Sequence, residues 1–571
     1  MLSRLLRSLA RRPPGGRAIE EGSAALQAGD WLAAEAAFRR ALSAGDDRAG
    51  AFHGLGLALW RQRRLDEAIE ALQLAVERAP RDAAYRLTLG AALEKVAPAE
   101  AVEQFRAARR LAPDSPEIDA RIHKPLMEVC AWDDVDAELA ALRAHARTEP
   151  AERWTLRLDP FVALALPISS EMRVEAVRWH SRRAVKGVQP MSLAPRVPGR
   201  KLRIGYVASE EFCNHAVAHL TVGVFEGHDR ARCEVFAYSF GADDGSEYRK
   251  RVVGAFDRFV DAGAQSDAEV AARIAADGID VLVDLKGHTA GARPRIFALR
   301  PAPVRVNYIG YAGSMQADFV DYIIADRTVA PQADFGAFSE AVVWMPSSYL
   351  TSDDRQPIAD DAGSRAAHGL PEKGFVYCCF NRTYKIERPI FDAWMRILGA
   401  VPGSVLWLLA GGSAMEANLR AAASIAGIDP ARLVFAPRQK KPEHLARHRL
   451  ADLFLDTHTY NAHTTGCDAL WAGLPLLAWP GESFPARVAA SLLRAVGLPE
   501  LIAPTLADYE RTAIELSRDA ERLAALRARL AENRLTMPLF RTGQYTRQIE
   551  AAFQVMHERR LRGAPAEAFA V

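Results

Sequence analysis

The chain lacks most of the features that would place it in a familiar class at once. Its six cysteines, Cys130, Cys213, Cys233, Cys378, Cys379 and Cys467, form no C-x-x-C pair. That argues against a zinc finger or a disulfide framework and suits a reducing compartment, so a cytoplasmic location is expected. No run of about 18 apolar residues occurs, which leaves no candidate membrane span. Neither sign of charge is in excess: 73 Lys and Arg stand against 71 Asp and Glu, a net +2. A nucleic-acid partner, which favours a clustered basic surface, is therefore not expected. The glycine fingerprints of dinucleotide and P-loop folds are missing too. The first strand-like run reads Gly205-Tyr206-Val207-Ala208-Ser209-Glu210, with no G-x-G-x-x-G, and no G-x-x-x-x-G-K-[ST] occurs anywhere. H-E-x-x-H and C₂H₂ spacings are absent, so no protein-bound metal and no cofactor are expected.

What remains is an ordinary globular composition, 49% hydrophobic and 25% charged, over 571 residues. That length suggests three or four domains of roughly 150 residues each. Residues 1–17 are rich in Arg and hold no acid. Leu2, Leu5, Leu6 and Leu9 fall at helical spacing with Arg4, Arg7, Arg11 and Arg12 between them. Such a segment suits an anionic membrane surface or a transit peptide, or it is a frayed basic terminus or an extra capping helix.

From residue 18 the chain repeats. Gly22, Gly56 and Gly90 are 34 apart, and Ala34, Ala68 and Ala101, like Phe38, Leu72 and Phe105, follow the same beat. Small residues recur where two helices must approach, and large ones where space must be filled. This is the tetratricopeptide period. Such units bury their faces only by stacking, which predicts an α-α superhelix with a concave groove. Ala131-Trp132-Asp133-Asp134 opens a degenerate further unit. Repeat and repeat-like helices are expected over 18–195, and Pro195-Arg196-Val197-Pro198-Gly199 reads as a linker.

After Lys201 the pattern changes to apolar strand-like runs alternating with helices. The runs are Leu202–Val207, Val235–Phe240, Val281–Leu285, Val304–Ile309, Tyr322–Ala325 and Val342–Met345. A second series follows: Phe375–Phe380, Val405–Ala410, Leu433–Ala436, Leu453–Leu455 and Leu476–Trp479. Alternation of this kind predicts parallel sheets with helices on both faces. Two doubly wound lobes are expected, over 200–360 and 370–550, with ligand held in the cleft at their strand carboxyl ends. A C-terminal helix and frayed tail would occupy 551–571.

Four segments at strand ends carry chemistry. His463-Thr464-Thr465 runs from a strand into a helix that Gly473 and Pro475 close. Thr464 or Thr465 suits the N-cap, and the amides there attract anions, or the segment merely caps a helix. Asn214-His215 follows the first strand and offers a proton acceptor, or a surface or capping histidine. Phe380-Asn381-Arg382-Thr383-Tyr384-Lys385 suits a phosphate, or is a solvated loop. Pro437-Arg438-Gln439-Lys440-Lys441-Pro442-Glu443-His444 suits a nucleoside, or is a charged surface loop. Gly411-Gly412-Ser413 reads more readily as a tight turn.

Taken together, these segments resemble the catalytic region of O-linked N-acetylglucosamine (O-GlcNAc) transferases over roughly residues 200–550. The resemblance rests on Asn214-His215-x-x-x-His219-Leu220, Gly291-Ala292-Arg293, Phe297-Ala298-Leu299-Arg300-Pro301-Ala302-Pro303 and Phe380-Asn381-x-x-Tyr384-Lys385. It continues through His463-Thr464-Thr465-Gly466-x-Asp468-x-Leu470-Trp471 and Pro480-Gly481-Glu482-x-x-x-x-Arg487-Val488-Ala489-Ala490-Ser491. N-terminal tetratricopeptide repeats are the family's domain order too, and the compact arrangement looks like that of a bacterial homologue.

The resemblance implies a GT-B fold of two Rossmann-like lobes. It also implies a metal-free, inverting transfer of GlcNAc from UDP-GlcNAc to Ser or Thr hydroxyls of proteins that the repeats present. It puts Lys385 at the diphosphate, with Thr464 and Thr465 adding donors at the helix start. Asp468 and Lys441 would hold the ribose, and His444 would stack on uracil beside the Gln439 backbone. His463 would lie by the phosphate or sugar, with Asn381, Arg382 and Arg447 in the same pocket. His215 matches the histidine discussed as general base, its proton role open.

The departures fall around the sugar. Arg382-Thr383 stands for the usual Gln-Leu, Leu285-Lys286-Gly287-His288 for Met-Asn-Gly-Tyr, and Tyr460 and Ala462 for Cys and Gly. Three alternatives remain: GDP-fucose as donor, as in SPINDLY-type relatives, UDP-glucose passed to Asn, or a peptide-binding scaffold without turnover. In the family the repeat groove binds extended peptides through side-chain amides and apolar pockets.

Overall fold

The computed structural model describes residues 16–193 and 199–571. The basic segment therefore lies almost wholly outside the described residues, as does most of the 195–199 linker. The chain divides into two compact units, one of Met1–Asp159 with Gly411–Asn418, the other of Pro160–Ala410 with Leu419–Val571.

The first unit is built of helix pairs: α1 Gly16–Ala28 with α2 Trp31–Ser43, α3 Ala49–Arg61 with α4 Leu65–Arg78, α5 Ala83–Leu93 with α6 Pro98–Leu111, and α7 Pro116–Glu128 with α8 Trp132–Thr148. The repeated glycines explain the period. A Cβ on Gly22 would sit 2.9 Å from the Phe38 ring, one on Gly56 2.7 Å from Leu72, and one on Gly90 2.6 Å from Phe105. Only a residue without a side chain lets each first helix approach the large residue of the second. Ala34, Phe38, Leu72, Ala101 and Phe105 are all at most 1% exposed.

The second unit holds two parallel sheets. Its strands are β1 Leu202–Ala208, β2 Cys233–Ser239, β3 Arg258–Asp261, β4 Val281–Asp284, β5 Val304–Asn307, β6 Tyr322–Ala325, β7 Ala341–Trp344, β8 Val376–Cys379, β9 Val405–Leu409, β10 Leu433–Ala436, β11 Leu453–Leu455, β12 Leu476–Leu477 and β13 Phe569–Ala570. The first sheet runs β13-β7-β6-β5-β4-β1-β2-β3 and the second β10-β9-β8-β11-β12. Most strands are short apolar runs buried on both faces, as helix-covered parallel sheets require. In each sheet the order reverses beside its first strand, between β4 and β1 and between β8 and β11. Those reversals open the crevices where such sheets take ligands.

Three expectations are corrected. Residues from Pro160 onward do not extend the repeats. In the second unit helix α9, Ser170–Ala184, buries Ala176 and Val177, and its Ser181 Oγ meets His288 Nε2 at 2.9 Å. The boundary at 550 falls inside an unbroken helix, because α13, Thr542–Leu561, packs Ile549, Phe553 and Met556 into the first lobe. There Glu550 Oε1 accepts from His228 Nδ1 at 2.8 Å. The tail is not frayed, since β13 pairs in parallel with β7. No helix among the described residues is long and apolar enough to cross a membrane.

Candidate active site

β8 ends at Cys379 and β11 at Leu455, and the segments that leave them are stitched together. Asn381, fully buried, donates from Nδ2 to Asp456 Oδ1 at 3.0 Å and to Thr457 Oγ1 at 2.8 Å, and its Oδ1 accepts from Thr465 Oγ1. Asp456 Oδ1 also takes the amides of Thr457 and Ala462, at 2.8 and 2.7 Å. One carboxylate thus folds the whole loop back on itself. Its Oδ2 is buried without a partner.

The loop delivers the chain into helix α12, Thr464–Trp471. The expected threonine N-cap is not formed. His463 is the N-cap residue, with φ −104° and ψ −95°, and no side chain caps the helix. The Thr465 hydroxyl is committed to Asn381 instead, so the first amides of α12 carry no side-chain cap. Gly466 permits the geometry: a Cβ there would meet Leu492 at 2.9 Å and Ala462 at 3.3 Å.

Lys385 stands beside this helix start. Its Nζ donates to the Asn461 carbonyl at 2.9 Å and lies 4.1 Å from the centre of the Tyr460 ring. Burial pushes its pKa below the ordinary lysine value, and the Asp456 charge opposes that shift. Burial likewise raises Asp456, against the pull of the amides and of Lys385. His463 donates from Nε2 to the Pro485 carbonyl at 3.2 Å. Burial first, and then the Lys385 charge, hold its ring neutral far below the usual range.

A second group lies on helix α11, Lys441–Arg447. Lys441 Nζ is 2.5 Å from Asp468 Oδ1, which ties α11 to α12. The His444 ring meets Phe380 edge-on at 5.4 Å and is kept neutral by burial, then by His448, Arg447, Lys441 and His219. His219 belongs to the first lobe, so the two lobes meet here. Helix α10, Ala216–Gly227, also packs on α12.

His215 is the N-cap of α10, its Nδ1 accepting from Val217 N at 3.2 Å. The capping role left open for it is therefore real. His219 Nε2 meets Asn214 Oδ1 at 2.8 Å. Burial lowers His219 to about 2, with Lys441 and His215 adding to the shift.

The structure thus gathers Asn381, Lys385, His463, Thr464 and Thr465 around one helix start, and Lys441, His444 and Asp468 beside it. Gln439 is exposed in the β10–α11 loop, and Arg382 is partly exposed before the turn Thr383–Lys385. Arg447 departs from its expected place. It is 1% exposed, with its guanidinium 4.5 Å from the centre of the Phe380 ring and Nη1 on the Pro437 carbonyl at 2.6 Å, so it braces the loop from beneath.

Asp456, Asn461 and Pro485 belong to the site without standing in any motif of the sequence, and Tyr460 stands there only as a departure from the family's usual Cys. Asp456 left a signal: an acid directly after the buried run Leu453–Leu455. The other three act through backbone carbonyls or a ring face, which no spacing announces.

Two parallel-sheet, Rossmann-like lobes following tetratricopeptide repeats define a GT-B fold. Residues 129–360 and 357–549 match the profile of glycosyl transferase family 41, and residues 19–83 match a tetratricopeptide repeat. The chain belongs to glycosyl transferase family 41.

It is 36% identical over 442 residues to a probable UDP-N-acetylglucosamine–peptide N-acetylglucosaminyltransferase SEC of Arabidopsis thaliana, covering 74% of this chain and 45% of that protein. A UDP-N-acetylglucosamine–peptide N-acetylglucosaminyltransferase of Caenorhabditis elegans is 30% identical over 559 residues, covering 76% and 48%. The chain spans about half the length of these curated relatives. Among solved structures, a mutant O-GlcNAc transferase of Thermobaculum terrenum superposes with a TM-score of 0.74 at 27% identity, covering 97% of this chain and all of that one.

Proposed function

We propose that this protein transfers GlcNAc from UDP-GlcNAc to Ser or Thr hydroxyls of proteins, with inversion and without a metal ion. The observation that carries the reading is the uncapped start of α12, with Lys385 beside it and Asn381 and Asp456 locking both in place. Preorganised donors of this kind stabilise a diphosphate as the sugar bond breaks. Lys385 supplies the cation at the leaving oxygen, and the Thr464 hydroxyl with the amides at the start of α12 completes the cradle, while the Thr465 hydroxyl stays on Asn381. Lys441 and Asp468 share the ribose hydroxyls, while His444, neutral and against Phe380, offers its face to the base. The names of the relatives support the same donor.

His215 is held at the start of α10, its Nδ1 accepting from Val217 N. We place it in the active site with its proton role open.

The repeats would bind the acceptor polypeptide, with chemistry different from an asparagine-lined groove: residues 16–193 contain no Asn at all. Six buried free cysteines fit a cytoplasmic enzyme. Offering labelled UDP-GlcNAc, UDP-glucose and GDP-fucose to the purified chain with protein acceptors tests the reading. Transfer chiefly from UDP-GlcNAc supports it, and none from UDP-GlcNAc refutes it.

A further inference from the structure

We propose that the two-lobed unit carries a second small-molecule site, a cavity of about 480 Å³ that takes a monocarboxylate with an apolar body. The volume is that of an ordinary ligand pocket. The site is distinct from the nucleotide-sugar site and does not rest on the function proposed for it.

Its walls divide by chemistry. Leu164, Val174, Val177, Val329 and Phe484 make an apolar surface. Against it stands Arg173, in the first turn of α9. Arg173 donates from Nε to the Ala163 carbonyl at 3.0 Å and from Nη2 to the Ile168 carbonyl at 3.3 Å. Among the described residues no carboxylate lies within ion-pairing distance of it. Burial lowers its pKa. A guanidinium stays charged under all working conditions. One that is half-desolvated and held only by carbonyls gains from a carboxylate, which it can engage with two parallel N–H groups.

The other charges set the selectivity. Arg487, also in the wall, is already paired with Asp334. One positive charge is therefore open, which suits a monoanion. Glu482, exposed at the rim and without a basic partner among the described residues, opposes a multiply charged phosphate.

The cavity also abuts the donor site. Pro485 lines it, and the Pro485 carbonyl holds the His463 ring. The carboxylate has two sources of the same chemistry: a free metabolite, or a Glu or Asp side chain of a polypeptide bound nearby.

The test is titration calorimetry on the full chain. The probes are 4-phenylbutyrate, its neutral amide, inorganic phosphate, and the blocked peptides acetyl-Leu-Glu-Leu-amide and acetyl-Leu-Gln-Leu-amide. Binding of 4-phenylbutyrate or of the Glu peptide is expected, with the matching amide or Gln peptide weaker by about tenfold or more. The first result assigns a free acid, the second a polypeptide side chain. Arg173→Met removes the cation, and Val174→Phe fills the cavity without touching Arg173. Each should weaken the acid by about tenfold while UDP binding, measured alongside, stays as in the parent and reports an intact fold. The proposal fails if neither acid binds, if acid and amide bind alike, if phosphate binds as tightly as the acid, or if Val174→Phe binds the acid unchanged.

Discussion

Lys441 Nζ stands 2.5 Å from Asp468 Oδ1, with the two side chains only 9% and 6% exposed. The pair joins α11 to α12 and sets both residues where the ribose is proposed to bind. Removing one partner of a buried pair leaves the other charge uncompensated, at a cost of about 3–5 kcal/mol. Asp468→Asn should therefore lower thermal stability and weaken UDP binding together. Lys441→Met combined with Asp468→Asn should recover much of the stability but none of the affinity. Thermal unfolding and calorimetry separate the two effects, and recovered UDP affinity in the double variant would remove the pair from the ribose site.

At His215 the cap and the chemistry can be separated. His215→Asn keeps a side-chain acceptor for the α10 amides, whereas His215→Ala loses the cap, worth about 1 kcal/mol. Both variants should lose more than about tenfold in kcat while binding UDP, and only the Ala variant should melt earlier. Normal turnover by His215→Asn would show that the ring does no more than cap the helix.

Lys385 should give the enzyme a basic limit. Burial holds its pKa below the ordinary value near 10.4, so the ammonium loses its proton as pH rises, earlier than a surface lysine would. In the free enzyme kcat/KM should fall through that range. Lys385→Arg, which keeps its charge, should show no such fall whatever its overall rate. Lys385→Ala should lose more than about tenfold in kcat, and near-normal turnover there would end its role at the diphosphate.

The sheets were readable because strands covered on both faces are written as unbroken apolar runs. β3 was not, because Arg258 and Asp261 are both exposed and break the run. β13 is two residues long and gains its meaning only by pairing with Val343 and Trp344 far earlier in the chain. The repeat period was readable because each Gly answers one large side chain on the next helix. The end of the repeats at Asp159 was not, since α9 is as helical as α8 and differs only in what covers it. In the site, Lys385 and Thr465 were legible as chemistry. The Thr465 hydroxyl's commitment to Asn381 was not, because it joins positions 84 apart in the chain.

Buried neutral histidines make the fold acid-sensitive. Burial holds His219 near 2 and His288 and His448 near 3, with His444 and His463 also displaced downward. Unfolded, each binds a proton below about pH 6.5, while the folded chain does not. Stability is thus unaffected above about pH 6.5 and falls as pH drops below it, by up to about 1.4 kcal/mol per pH unit for each histidine. The urea midpoint should drop between pH 7 and pH 5. A midpoint that stays constant over that interval would mean these rings titrate normally in the folded chain.

The central claim is transfer from UDP-GlcNAc by protein groups alone. The direct measurement is incorporation of labelled GlcNAc into Ser or Thr of protein acceptors in the presence of excess EDTA, with the anomeric configuration of the product determined. The account predicts undiminished transfer, a β-linked product, and loss of the label with Lys385→Ala. An α-linked product, label that disappears with EDTA, or UDP binding with no transfer to any acceptor would contradict it.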